Sequence, residues 1–213
     1  MSETVLKSPL VWIDCEMTGL DPTHDELVEV AVLITDANLK VVGPGLDLVI
    51  RPSEGALNQM DDFVREMHTK SGLIDEFAQG LELSEAETQV LDYIRRYVPE
   101  PRTAQLAGNS VGQDRIFLSA YMPQVVEHLH YRIIDVSTIK ELAKRWYPRV
   151  YACAPKKDGD HRALADIKES IQELEYYRRA LFPAQLDPRS GAYVRIAESV
   201  ADLPRVDEEP AAH

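Results

Sequence analysis

Five residues spread over most of the 213-residue chain form one chemical set: Asp14 and Glu16 in LVWIDCEMTGLDP, Asp114 in AGNSVGQDRIFL, and His161 with Asp166 in GDHRALADIKESI. Carboxylate oxygens are hard ligands that suit Mg²⁺ or Mn²⁺, ions that keep positions open for water and for phosphate oxygens. Two such ions about 3.5–4 Å apart can activate a water and stabilise the leaving oxygen of an in-line displacement. A histidine titrating near ~6.5 can take the proton from that water at neutral pH. These residue types therefore describe four ligands and one base of a two-metal phosphodiesterase. Taken singly, each has a plainer reading: Asp114 and Asp166 as first-turn helix acids favoured by the helix dipole, His161 as a solvated loop residue. Their joint occurrence in this order carries the catalytic reading.

The elements that must position them follow from periodicity. The apolar run Leu10 to Ile13 reads as a buried strand, and alternation puts Asp14 and Glu16 on one face with Cys15 on the other. Asp166 lies in a helical pattern with Leu164, Ile167, Ile171 and Leu174 on one face, and His161 falls in the loop KKDGDH before it. VEVAVLITD and GLDLVI read as strands of a hairpin-like pair joined by ANLKVVGP, and DDFVREMH begins a helix. Ser84 and Glu87 are expected to form a capping box that opens the helix running through VLDYIRRYV. A short strand at AQLAG leads into the helix carrying Asp114, and RIIDV is the last strand. Ser137 is expected to cap STIKELAKRW, leaving helix-start N–H groups for a phosphate. The order predicts an α/β fold: a mixed sheet of about five strands flanked by helices.

Composition narrows the substrate. With 36 acids against 23 Lys plus Arg, a net charge of −13 disfavours a long polyanion. A substrate with one or two phosphates needs no basic groove, and bound cations would offset the acidity of the site. Residues 125–162 hold eight Lys or Arg against five acids, a local excess of positive charge. Two cysteines, Cys15 and Cys153, fit a reducing compartment, and the expected localisation is cytoplasmic, with no leader or membrane span in MSETVLKSPLVWID or beyond. Trp12 reads as core, His128 and His130 as a polar helix end, and Asp158-Gly159-Asp160 as a loop without the distal Glu of a calcium site.

The blocks DCEMTGLDP, NQMDDFVREMHTKSGL, GNSVGQDRIFL, HYRIIDVSTIKEL and HRALADIKESI, in that order, resemble the oligoribonuclease family within the histidine-bearing branch of the DEDD exonuclease superfamily. The likeness runs from about residue 9 to residue 182. It implies a ribonuclease H-like fold, a homodimer, and Mg²⁺- or Mn²⁺-dependent trimming of very short RNA from the 3′ end to 5′-mononucleotides, including dinucleotides left by cyclic-dinucleotide breakdown. By similarity Asp14 would bridge two ions, Glu16 and Asp166 would hold the first, Asp114 the second, and His161 would be the general base. Leu20 resembles a wedge between two bases, while Phe63 and His68 resemble base and sugar contacts. Ser110, Ser137 and Lys140, with Tyr131 and Arg132 from a partner subunit, resemble a cap on the 5′ phosphate. Phe63 stands where the family more often has Trp and lacks its indole donor, and Cys15 stands where Met is common.

The expected organisation is an exonuclease domain over residues 8–183 and an extension over 184–213 that is acidic and disordered at its end. Two other readings stand beside the leading one. A DNA proofreading or repair exonuclease would share every metal ligand, and a silent binding module would be expected to have lost one, which this sequence has not.

Overall fold

The structure is a computed structural model that describes residues 6–155, 162–182 and 192–201. Five strands form one sheet in the order β3-β2-β1-β4-β5: β1 Leu10–Met17, β2 Leu27–Thr35, β3 Val41–Val49, β4 Gln105–Gly108 and β5 His130–Asp135. The first three run antiparallel, and β4 and β5 join parallel to β1, which makes the sheet mixed as expected.

Alternation along β1 separates core from site. Val11, Ile13 and Cys15 join an apolar layer with helix α3 (Leu83–Tyr97), α4 (Gly112–Tyr121) and α5 (Pro123–His128). Trp12 enters the opposite layer, against α6 (Val136–Trp146) and α8 (Ala163–Leu181), and its indole N–H donates to Thr35 Oγ1 at 3.0 Å. Asp14 and Glu16 share Trp12's parity, so they meet α8 at the end of the strand. Every residue of β2 is buried, including Glu29, which pairs in register with Glu16.

The remaining helices are α1 Glu54–Gln59, α2 Asp62–Lys70, α7 Pro148–Ala152 and α9 Ala192–Ala201, with two 3₁₀ turns between α2 and α3. Among the described residues no helix is long and apolar enough to cross a membrane.

Three local expectations need correction. The β2–β3 connection is shorter than ANLKVVGP, because Asp36 Oδ1 accepts the N–H groups of Asn38 and Lys40 and closes a tight turn, so β3 begins at Val41. Gly43 and Gly45, at φ 82° and 86°, carry this edge strand past Pro44, where β2 and β3 shift register. The capping box does not form. The bridge between Ile50 and Leu81 leads the chain into α3 at Leu83 with Glu82 as N-cap, and Glu87 instead accepts the N–H of Gln124 at 2.8 Å, at the start of α5. Nor does Ser137 cap α6: Asp135 does, accepting Ser137 N–H at 2.9 Å, because the aspartate ends β5 in extended geometry two residues earlier.

Candidate active site

Strand β1 and helix α8 bring three of the expected ligands together. Asp14, Glu16 and Asp166 each offer an oxygen within 4.8 Å of the others, a set able to hold a cation. The donors are all hard carboxylates, the chemistry that a divalent ion of the Mg²⁺ or Mn²⁺ type selects. Burial pushes Glu16 up from an ordinary 4.5 to about 8, with Glu29, Asp166 and Asp114 adding repulsion and Arg162 opposing it. A cation would relieve that repulsion.

Asp114 arrives from the other helical layer. The β1–β4 ladder ends at Trp12 and Ala107, and beyond it Asp114 Oδ1 accepts the N–H of Cys15 at 3.0 Å. This pins the first turn of α4 to the backbone between Asp14 and Glu16. Asp114 is buried, and that burial raises it from 3.8 to about 7, against the lowering effect of the Cys15 N–H. Burial, with the negative charge of Asp114, Asp14 and Glu16 beside it, also lifts the Cys15 thiol well above its ordinary value; its side chain lies in the α4 layer, on the Asp114 side of the sheet.

His161, the expected base, lies outside the described residues, as do Asp158, Gly159, Asp160 and the stretches 183–191 and 202–213. Its neighbour Arg162 is well anchored. The Arg162 Nε donates to Glu29 Oε1 at 2.8 Å and its Nη1 to Glu76 Oε1 at 2.8 Å, while Ala163 N–H donates to Glu29 Oε2 at 2.9 Å. Glu29 therefore caps α8 and holds the helix of Asp166 against β2.

The expected substrate contacts divide by exposure. Leu20 (73% exposed) and Phe63 (76% exposed) present open apolar surface, and Gln113 Nε2 braces the Leu20 carbonyl at 3.0 Å from α4. His68 is 0% exposed: its Nε2 lies 2.9 Å from Met17 O, its Nδ1 4.0 Å from Glu16 Oε2, and its ring is edge-on to Phe77. It stands behind Glu16 and has no surface for a base or sugar in this conformation.

Ser110 and Ser137 meet directly, Oγ to Oγ at 3.0 Å, and the Lys140 ammonium lies 3.1 Å from Glu173. Tyr131 and Arg132 stand on the outer edge of β5, the guanidinium 5.4 Å from the ring centre. Sequence reading missed Glu29, Arg162, Asn109, Glu173 and Gln113. Glu29 did carry a signal, a lone acid inside the apolar run LVEVAVLIT.

Comparison with known proteins places this arrangement. A family model described as "Exonuclease" matches residues 11–174. The chain is 62% identical over 179 residues to an oligoribonuclease of Leifsonia xyli, covering 84% of this chain and 86% of that one. It is 59% identical over 181 residues to an oligoribonuclease of Streptomyces avermitilis, covering 85% and 90%, and 50% identical over 205 residues to that of Mycobacterium bovis, covering 96% and 95%. Among solved structures, a complex of E. coli exonuclease I with single-stranded DNA superposes with a TM-score of 0.61 at 14% identity, over 92% of this chain and 45% of that chain. Exonuclease I of Methylocaldum szegediense superposes with a TM-score of 0.56 at 17% identity, over 81% and 41%. This chain spans less than half the length of those exonuclease I chains, and the likeness supports the ribonuclease H-like fold alone. By sequence over most of its length, the chain belongs to the oligoribonuclease family of exonucleases.

Proposed function

We propose that this protein is a 3′→5′ exoribonuclease that hydrolyses dinucleotides and very short oligoribonucleotides to 5′-mononucleotides, the last step of RNA turnover and of linear dinucleotides from cyclic-dinucleotide breakdown. The observation that carries the reading is the convergence of Asp14, Glu16 and Asp166 from β1 and α8, with Asp114 pinned beside them, in a chain of this family.

Asp14, Glu16, Asp114 and Asp166 would hold two divalent ions, Mg²⁺ or Mn²⁺. Bound there, such ions supply Lewis-acid stabilisation of phosphoryl charge and lower the pKa of an attacking water. His161 accepts the proton of that water as it attacks phosphorus. The P–O3′ bond would break as the new P–O bond forms, the 3′ oxygen taking a proton from solvent, to leave a 3′-hydroxyl on the upstream nucleotide and a 5′-phosphate on the one released. Leu20 and Phe63 offer stacking surface for the two bases, and Ser110, Ser137 and Lys140 line the position for a 5′ phosphate. The acidic surface, net −13, favours such small substrates over long strands.

A homodimer completes the cap. Strand β5 is a sheet edge, and an uncovered edge is a ready pairing surface. Beside it lies a groove of about 450 Å³ lined by Ile133, Ile134, Ile139, Leu174 and Phe182. A second copy seated on this face would bring its own Tyr131 and Arg132 to the phosphate.

The test is a time course on 5′-labelled RNAs of about two, three, seven and twenty nucleotides, with Mn²⁺, with EDTA, and with His161→Ala. Metal-dependent release of mononucleotides, fastest on the dinucleotide, supports the proposal. Preference for the longest strand, or for single-stranded DNA, would keep the metal site and reject the short-substrate function.

A further inference from the structure

The residues expected at the 5′ phosphate are joined to the metal-ligand helix by a continuous polar chain, and Asn109 is its hub. Asn109 Oδ1 accepts the Ser137 hydroxyl at 3.2 Å. Its Nδ2 donates to Ser170 Oγ at 2.8 Å and to Glu173 Oε2 at 3.1 Å, both on α8. Ser170 in turn donates to the carbonyl of Asp166 at 2.8 Å, and Glu173 holds the Lys140 ammonium. One half-buried amide thus touches, directly or through one residue, Ser137, Lys140 and the backbone of a carboxylate ligand.

A second, independent feature lies at the same place. Ser110, the next residue, has φ 52°, a left-handed conformation that a non-glycine residue adopts at a cost of about 1–3 kcal/mol. It is held there by its own N–H, which donates to Asp135 Oδ1 at 3.0 Å and to Ser137 Oγ at 2.8 Å. Since Asn109 takes the Ser137 proton, the hydroxyl oxygen is turned toward Ser110 as an acceptor. A left-handed serine beside the proposed 5′-phosphate position, restrained by a part-buried network, is what a preorganised anion subsite requires.

We infer that Asn109, seated on Ser170 and Glu173, is a positioning residue that sets the Ser110–Ser137–Lys140 cap in register with the Asp166 ligand, and so makes cleavage depend on a 5′ phosphate one nucleotide away. The inference rests on the short-substrate reading above. In this role Asn109 acts through Ser137, Lys140 and α8 rather than on the reacting atoms.

The experiment compares kcat/KM for a dinucleotide bearing a 5′ phosphate with that for the same dinucleotide bearing a 5′ hydroxyl. A nucleoside 5′-(p-nitrophenyl) phosphate, which has no upstream nucleotide, reports on the metal site alone. Removal of the Asn109 amide leaves Ser137 its contacts with Ser110, Ser170 its bond to Asp166, and Glu173 its pair with Lys140, so Asn109→Ala is expected to fold. It should lower the phosphate-to-hydroxyl ratio roughly tenfold or more, the scale of one or two lost part-buried hydrogen bonds, through KM of the phosphorylated substrate. Turnover of the nitrophenyl ester should stay within about threefold of wild type, a change smaller than one such bond. If the alanine variant does not fold, Asn109→Ser, which keeps a small polar group, should move the ratio the same way. A folded variant that retains the wild-type ratio, or loses both substrates and the ester equally, overturns the positioning role. A wild-type enzyme with no phosphate preference rejects the underlying cap instead, which keeps the two failures distinct.

Discussion

Arg162 Nε lies 2.8 Å from the fully buried Glu29 Oε1, so the residue just before helix α8 is fastened to the strand neighbouring Glu16. The same glutamate accepts the first N–H of α8. Ligands from two distant segments are thereby held at one end of the sheet, and the segment containing His161 leaves from an anchored residue.

Truncation of that anchor should be costly. Arg162→Ala leaves the Glu29 carboxylate buried with one remaining donor, and a loss of roughly 2–4 kcal/mol is expected, at the lower end of broken buried pairs because the arginine is partly exposed. Urea unfolding would measure it. A change under about 0.5 kcal/mol, the range of an unremarkable surface substitution, would show that the pair does not anchor α8.

Protons and metal should compete for the acidic cluster. Glu16 rises from 4.5 to about 8 and Asp114 from 3.8 to about 7 on folding, so the native state binds more protons than the unfolded state between those limits. Stability of the metal-free protein from this source is present at low pH and is lost as pH rises through about 7 and 8. Melts in EDTA from acid to mildly alkaline pH should therefore decline more steeply for wild type than for Glu16→Gln, and saturating Mn²⁺ should raise the midpoint most at high pH. Identical slopes in the two proteins, or no response to Mn²⁺, would contradict the ligand assignment.

Two substitutions at Asp114 separate charge from architecture. Asp114→Asn keeps an acceptor for the Cys15 N–H and should fold with near-native stability, whereas Asp114→Ala leaves that donor without its carboxylate and should cost about 1–3 kcal/mol. Both should lose roughly 10²–10⁴-fold in turnover, as expected when several kcal/mol of transition-state stabilisation are removed. Steady-state kinetics with thermal melts would check this; an active Asp114→Asn would place the second ion elsewhere.

His161→Ala should lower kcat by about 10²–10⁴-fold with little change in KM. The wild-type rate should fall below a pH near ~6.5, where the imidazole is protonated and cannot accept the water's proton. A pH–rate profile that is unchanged in shape by the substitution would assign the base to another group.

Trans-complementation tests the dimer. Tyr131→Ala alone should be inactive on dinucleotides, but mixed with His161→Ala it should recover activity, because one of the two sites in a mixed dimer would combine an intact base with an intact partner tyrosine. Recovery in no mixture would put the whole site within one subunit.

Much of this protein was legible locally. The alternation of Trp12, Asp14 and Glu16 against Val11, Ile13 and Cys15 needs only the two-residue period of a strand, and the Ile167–Ile171–Leu174 stripe only the helical one. The blocks, in their order, carried the family, and the order of strand and helix patterns carried the sheet. The helix starts were less legible: Ser84 and Ser137 are good caps by type, yet Glu82 and Asp135 occupy those positions because the preceding bridge and strand decide where extended backbone ends. The resemblance names His68 as a base or sugar contact, but nothing local in the sequence tells that α2 encloses it behind Glu16.

Residue type, block order and short-range period are enough for the chemical set, the family, the mixed α/β fold and the face on which the strand acids lie. What each polar side chain faces depends on the fold as a whole. Asn109 and Glu173 are 64 positions apart, Glu29 and Arg162 133, and Cys15 and Asp114 99. No local pattern encodes such pairs. They exist because closing the sheet between two helical layers buries these groups, and a buried polar group must find a partner wherever the fold supplies one.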